Sequence, residues 1–126
     1  MSRLKSFLIR RIKSFSYAIN GLKFIIKTQV NFIIHLIAAT TAVILGIILR
    51  INTCEWAILT LTIGLVLFAE TVNTVIEQIM DFVSPEFNKK VGLIKDLAAG
   101  AVLVTAIISV IVGMIIFLPK IIALFN

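Results

Sequence analysis

The chain has 126 residues, 60% hydrophobic and only 14% charged, with a formal net charge of +6 and a mean hydropathy of +1.14. That length suits one domain spanning residues 1–126, and the balance is that of an all-α membrane protein rather than of a soluble core. The basic residues flank apolar stretches instead of forming a polar face, which argues against nucleic acid as a partner and for the lipid bilayer.

Residues 3–28 carry helical periodicity. Leu4, Leu8, Ile12, Phe15, Ile19, Leu22 and Ile26 recur at spacings of three and four, within an arc of roughly 80°. Arg3, Lys5, Arg10, Lys13, Lys23 and Lys27 lie on the other side, and Arg11 lies near the edge of the apolar stripe. A basic amphipathic helix of this kind is expected to lie in the membrane interface; packing against another protein surface is the alternative. The same early cations interrupt any apolar run, so a cleaved signal peptide is not expected here.

Residues 31–49 form the first expected span, free of charge except for a possible one on His35, and at 1.5 Å per residue they reach about 28 Å. His35 itself reads as a hydrogen-bonded packing residue. Arg50 to Glu55 make a short polar link, within which Cys54 reads as a small loop residue; a lone cysteine gives neither an intrachain disulfide nor a metal-binding spacing. Trp56 is expected at headgroup level as an aromatic anchor. The second span covers residues 56–82 and includes a polar extension beyond Ala69, ended by Ser84-Pro85-Glu86, because proline disfavours helix in the residue before it. Residues 84–95 read as a polar loop, with Lys95-Asp96 opening a third span over residues 97–118 that Pro119 and Lys120 interrupt. Thr40, Thr41, Thr60, Thr62 and Thr105 are expected to bond to their own helix or across helices, and Gly46, Gly64, Gly100 and Gly113 to mark close packing.

Seven cations precede residue 28 and three lie in the 84–95 loop, against Arg50 and Lys120 alone on the other side. This asymmetry places the N-terminus in the cytoplasm and the C-terminus outside.

The chemistry is expected on the second span. Glu70, Asn73, Glu77 and Asp81 fall at roughly 0°, −60°, −20° and +20° around the helix, an arc of about 80°. Carboxylates near membrane depth cost on the order of 3 kcal/mol each, so such a stripe reads first as functional. Carboxylates on one face can hold a hard divalent cation through oxygen ligands. A lysine at a nearby helix entrance can meet a phosphate, and a further carboxylate can take a proton from a hydroxyl; these are the parts that phosphoryl transfer needs. Two other uses stay open at this point: ion pairs that only fix assembly, and a proton- or cation-coupled transport path.

Taken together, Tyr17 to Gly21 with Lys23, Asn31-Phe32, His35-Leu36, the Glu70–Asp81 motif, Ser84-Pro85-Glu86, and Lys95-Asp96 followed by Ala98 to Leu103 resemble the prokaryotic diacylglycerol kinase family. These are small integral-membrane lipid kinases that include an undecaprenol kinase branch, and the likeness covers nearly the whole chain. The resemblance implies a homotrimeric helical bundle of three-span subunits in the bacterial inner membrane, with shared active sites, ATP as phosphoryl donor, Mg2+ as cofactor and a membrane lipid alcohol as substrate. Undecaprenol is favoured over diacylglycerol, on His35 and Ser84-Pro85-Glu86. By position, Glu70 corresponds to the base for the lipid hydroxyl, and Asn73, Lys95 and Asp96 complete the catalytic set. Arg10, Lys13, Ser14, Tyr17, Glu86 and Asn88, with Lys95 and Asp96, correspond to nucleotide contacts. Glu77 corresponds to a metal ligand. Its usual glutamate partner before the first span is replaced by Gln29, whose neutral carbonyl holds a metal more weakly. That one departure is what favours a third alternative, an inactive membrane scaffold.

Overall fold

The computed structural model describes residues 3–126, and these form four helices: α1 (Arg3–Thr28), α2 (Val30–Ile48), α3 (Thr53–Val83) and α4 (Lys89–Ala123). There is no strand among the described residues. The chain divides into two compact units, one ending at Val30 and one running from Asn31 to Asn126.

The first unit is α1. It buries only Ile25, and its apolar stripe, from Leu4 (68% exposed) to Ile26, stays uncovered. Arg11 lies over the Phe7 ring at 4.9 Å from its centroid, a cation–π contact between side chains one turn apart.

In the second unit, α2, α3 and α4 are each long and apolar enough to cross a membrane. Their β-branched residues are poor helix formers in water. In lipid the backbone must satisfy its own polar groups, and the helix is the one single-segment solution. The 31 residues of α3 and the 35 of α4 would measure about 46 and 52 Å, well beyond a hydrocarbon thickness of about 30 Å. Both helices therefore extend past the apolar layer, and α3 packs along α4.

The turn between α2 and α3 is capped from both helices. Arg50, at φ 50°, takes the left-handed conformation, so that Ile51 N–H donates to Gly46 O at 3.1 Å and Arg50 N–H to Ile47 O at 3.3 Å. This pair of bonds is the Schellman end of a helix, here built without the usual glycine. Asn52 and Glu55 then cap α3 reciprocally: Glu55 N–H donates to Asn52 Oδ1 at 2.9 Å, and Asn52 N–H to Glu55 Oε2 at 2.8 Å. Glu55 Oε2 also meets Lys120 Nζ at 3.1 Å, tying the start of α3 to the end of α4. Beneath this lies the apolar core of Ile51, Leu59, Ile116 and Phe117, with Trp56 packed against it.

Several expectations are revised. Trp56 also covers Gly46, where an added Cβ would lie 2.9 Å from Trp56 Cη2, so its ring packs between helices as well as standing near the start of α3. Among the described residues, Gly46 is the one of these four glycines in close packing, since nothing lies within 4 Å of a Cβ at Gly64, Gly100 or Gly113. Cys54 belongs to the first turn of α3, because the capping box starts that helix at Thr53. The polar loop is shorter than expected and ends at Asn88. Asn88 Oδ1 accepts from Lys90 N–H at 2.8 Å and starts α4 at Lys89, so Lys95-Asp96 sit in the second turn, not at the opening. At the other end α4 passes through Pro119 to Ala123. Proline here forfeits a single backbone bond close to the helix terminus, a loss that spanning helices tolerate. Ser84 ends α3 ahead of Pro85 as expected, its N–H bonding Met80 O at 2.9 Å. All five named threonines bond to carbonyls of their own helix, none across.

Candidate active site

The polar stripe of α3 passes from buried to exposed over about 16 Å of rise, from Glu70 to Asp81. Its members form three pairs. At the deep end Glu70 is only 2% exposed, and its Oε1 stands 3.2 Å from His35 Nε2 on α2. One turn on, Asn73 Nδ2 donates to Glu77 Oε1 at 3.2 Å. At the outer end Lys95 Nζ on α4 donates to Asp81 Oδ1, with Asp81 mostly exposed. Thr74, also buried, donates to Glu70 O at 3.0 Å and leaves the carboxylate to other partners.

The middle pair is incomplete. Asn73 Oδ1 is buried and no donor reaches it. An amide oxygen left without a partner in a protein interior costs about 1–3 kcal/mol, so such an atom calls for a donor or a cation. No three His, Cys, Asp or Glu side chains among the described residues come together to hold a metal by themselves. One carboxylate, Glu77, beside one orphaned amide oxygen fits Mg2+, which is bound through one or two carboxylates plus substrate phosphates and keeps several waters. It does not fit a resident ion caged by protein alone.

Two cavities meet at His35. One, of about 330 Å³, is lined by Asn31, Ile34, His35 and Glu70 with Ala99, Val102, Leu103 and Ala106 of α4. The other, of about 220 Å³, runs along α2 from His35 past Ala38, Ala39 and Ala42 to Phe117. Thr62 and Ser109 in its wall bond to their own helix carbonyls, which leaves His35 its one ionisable group. A site with a buried carboxylate and alkane-like walls suits a molecule with a hydroxyl at the end of a long chain.

The remaining expected residues are placed as follows. Asp96 and Glu86 are exposed. Asn88 uses its side-chain oxygen to cap α4. Arg10, Lys13, Ser14 and Tyr17 lie on α1 in the first unit and are exposed there, with Ser14 Oγ bonding Arg10 O at 3.0 Å. Gln29, between α1 and α2 in sequence, also belongs to the first unit, where its N–H bonds Ile25 O at 2.8 Å. His35, expected as a hydrogen-bonded packing residue, is the one the sequence left outside the site. The signal was present, since an ionisable group inside an otherwise charge-free span is a functional candidate by default, but only the folded chain names its partner.

A family model for prokaryotic diacylglycerol kinase matches residues 16–117. Undecaprenol kinase of Bacillus subtilis is 40% identical over 111 residues, covering 88% of this chain and 90% of that protein. Diacylglycerol kinase of Synechocystis is 37% identical over 112 residues, covering 88% and 64%. The diacylglycerol kinase of Escherichia coli K12 is 28% identical over 102 residues, covering 81% and 84%. With a motif of paired carboxylates and Lys95-Asp96 inside the matched range, the chain belongs to the prokaryotic diacylglycerol kinase family.

Proposed function

We propose that the protein transfers the γ-phosphoryl group of ATP to the hydroxyl of a membrane lipid alcohol, with undecaprenol as the preferred acceptor. The observation that carries this reading is the buried Glu70, held by His35 at 3.2 Å beside apolar cavities, about one turn from Asn73 and two from Glu77. Undecaprenol is favoured by the 40% identity over most of both chains to an undecaprenol kinase. Diacylglycerol is the second reading, supported by the 37% identity to a diacylglycerol kinase.

In the proposed reaction Glu70 takes the proton of the lipid hydroxyl. The oxygen forms a bond to the γ-phosphorus as the bond from that phosphorus to the bridging oxygen breaks, releasing ADP and a lipid phosphate monoester. Glu77, with the orphaned Asn73 oxygen, would hold Mg2+, which supplies charge neutralisation across the phosphates when bound. Lys95 and Asp96 lie on the same end of α4 for the nucleotide, with Arg10, Lys13, Ser14, Tyr17, Glu86 and Asn88 as further contacts. Gln29 is the weaker second donor to metal. In this reading the protein lies in the inner membrane with α1 in the cytoplasmic interface, and homotrimers would cover the apolar faces that a single chain leaves exposed.

Purified protein given radiolabelled ATP, with and without Mg2+, and a panel of lipid alcohols tests this. Phosphorylation of undecaprenol faster than diacylglycerol, dependent on Mg2+, is the expected result. The reverse ranking overturns the substrate preference, and no lipid product from any alcohol overturns the kinase reading.

A further inference from the structure

We infer that His35 is a positioning residue for the reaction: its Nε2–H binds one oxygen of Glu70 and leaves the other oxygen to receive the hydroxyl proton. The inference rests on the kinase reading and extends it to a residue on a different helix.

Three observations lead to it. First, Glu70 lies almost wholly out of solvent, its side chain 3% exposed, while that of His35 is 21% exposed. A buried carboxylate needs donors, and the other polar group of its own turn, Thr74, bonds to the Glu70 carbonyl instead. Second, no other charged or titratable group among the described residues lines the cavities beside the pair. Every α4 residue that shares a cavity wall with His35 is uncharged, as are the neighbouring wall residues of α2 and α3 apart from Glu70 itself. Among the described residues His35 is the side chain found within bonding distance of the carboxylate. Third, Glu70 in the role of base is ionised and can only accept, so in that role the facing Nε2 carries the proton and one carboxylate oxygen is committed to His35. The other is left for a substrate in the cavity that Glu70 and His35 both line. A catalytic base whose acceptor oxygen is pre-aimed spares the reaction the cost of orienting it.

The chain has a single histidine, so one imidazole signal reports on this contact. In the full-length protein, uniformly ¹⁵N-histidine-labelled in detergent micelles and without a histidine tag, the expected spectrum shows an Nε2-bound proton protected from exchange with water. The protected proton should disappear in Glu70→Leu. A fast-exchanging imidazole in the unaltered protein overturns the inference whatever the activity. In parallel, His35→Leu should lower kcat about 10- to 100-fold with KM for ATP within threefold, whereas His35→Gln, which keeps a donor near the same place, should retain most of kcat. Equal loss in folded Leu and Gln variants, or kcat within threefold of the parent in the Leu variant, overturns it. Should the unaltered chain phosphorylate no lipid alcohol, the kinase reading fails while the imidazole spectrum still decides whether His35 holds Glu70.

Discussion

The two ends of α3 are built on opposite terms. At Asn52 the helix end is capped on both sides: the capping box, the Schellman turn and the Glu55–Lys120 pair close over an apolar core, with Trp56 seated on Gly46. From Glu70 onward the helix instead buries a carboxylate, an asparagine and a threonine, and leaves Asn73 Oδ1 with no partner. Local rules of capping and packing agree at the first end and are broken at the second. Breaks of that kind collect where a molecule works, because a site must keep polar groups uncommitted until substrate arrives. The comparison assigns stability to one end of the helix and chemistry to the other, and variants can test each assignment separately.

The largest effects are expected at the unfinished end, and on turnover alone. Glu70→Gln keeps shape and hydrogen bonding but removes the base, and should lower kcat about 10²- to 10⁴-fold. Glu77→Gln should act through phosphate and metal binding, with a loss that excess Mg2+ partly recovers. Thermal unfolding in micelles should change little in either variant, since a buried carboxylate is no aid to folding. A large drop in unfolding temperature would erase the proposed division between the ends.

How much of this was legible in the sequence follows the same division. The helix count, the stop at Ser84-Pro85 and the polar stripe rest on periodicity and on proline chemistry, which act over a few residues. The Glu55 cap and the early start of α4 at Asn88 were missed because Asn-x-x-Glu and a lone asparagine look like loop until the backbone shows which amide they accept. The place of Trp56 on Gly46 and of His35 on Glu70 are contacts between helices, and a single sequence does not say which faces meet. The family's replaced metal ligand, Gln29, was visible as a residue, but its consequence depends on how the first unit is used.

At the closed end Gly46→Ala should destabilise the fold by about 1–3 kcal/mol, because its methyl would lie 2.9 Å from Trp56 Cη2 and 3.0 Å from Ile51 Cδ1. The lipid-kinase rate of the fraction that remains folded should be close to that of the parent. A variant as stable as the parent would mean that Trp56 moves freely and that the end is less closed than its bonds imply. Arg50→Gly acts in the opposite direction. A side chain in the left-handed region costs about 1 kcal/mol, so glycine at φ 50° should raise stability by up to about that amount in the same unfolding measurement.

The smallest effect on stability is expected for the pair that stands between the two regimes, Lys95 with Asp81. The aspartate is 60% exposed and the lysine 34%, and half-wet pairs of this kind contribute about 0.2–1 kcal/mol. A double-mutant cycle with Lys95→Met and Asp81→Asn should return a coupling energy in that range. The two variants should separate in kinetics. If Asp81 serves only to hold Lys95 in place, Asp81→Asn costs little turnover, whereas Lys95→Met removes the charge proposed to meet phosphate and raises KM for ATP as well as lowering kcat. Equal kinetic losses from the two changes would mean that the pair acts as one unit. The ammonium would then depend on the carboxylate for its place, and the working end of α3 would reach to its last turn.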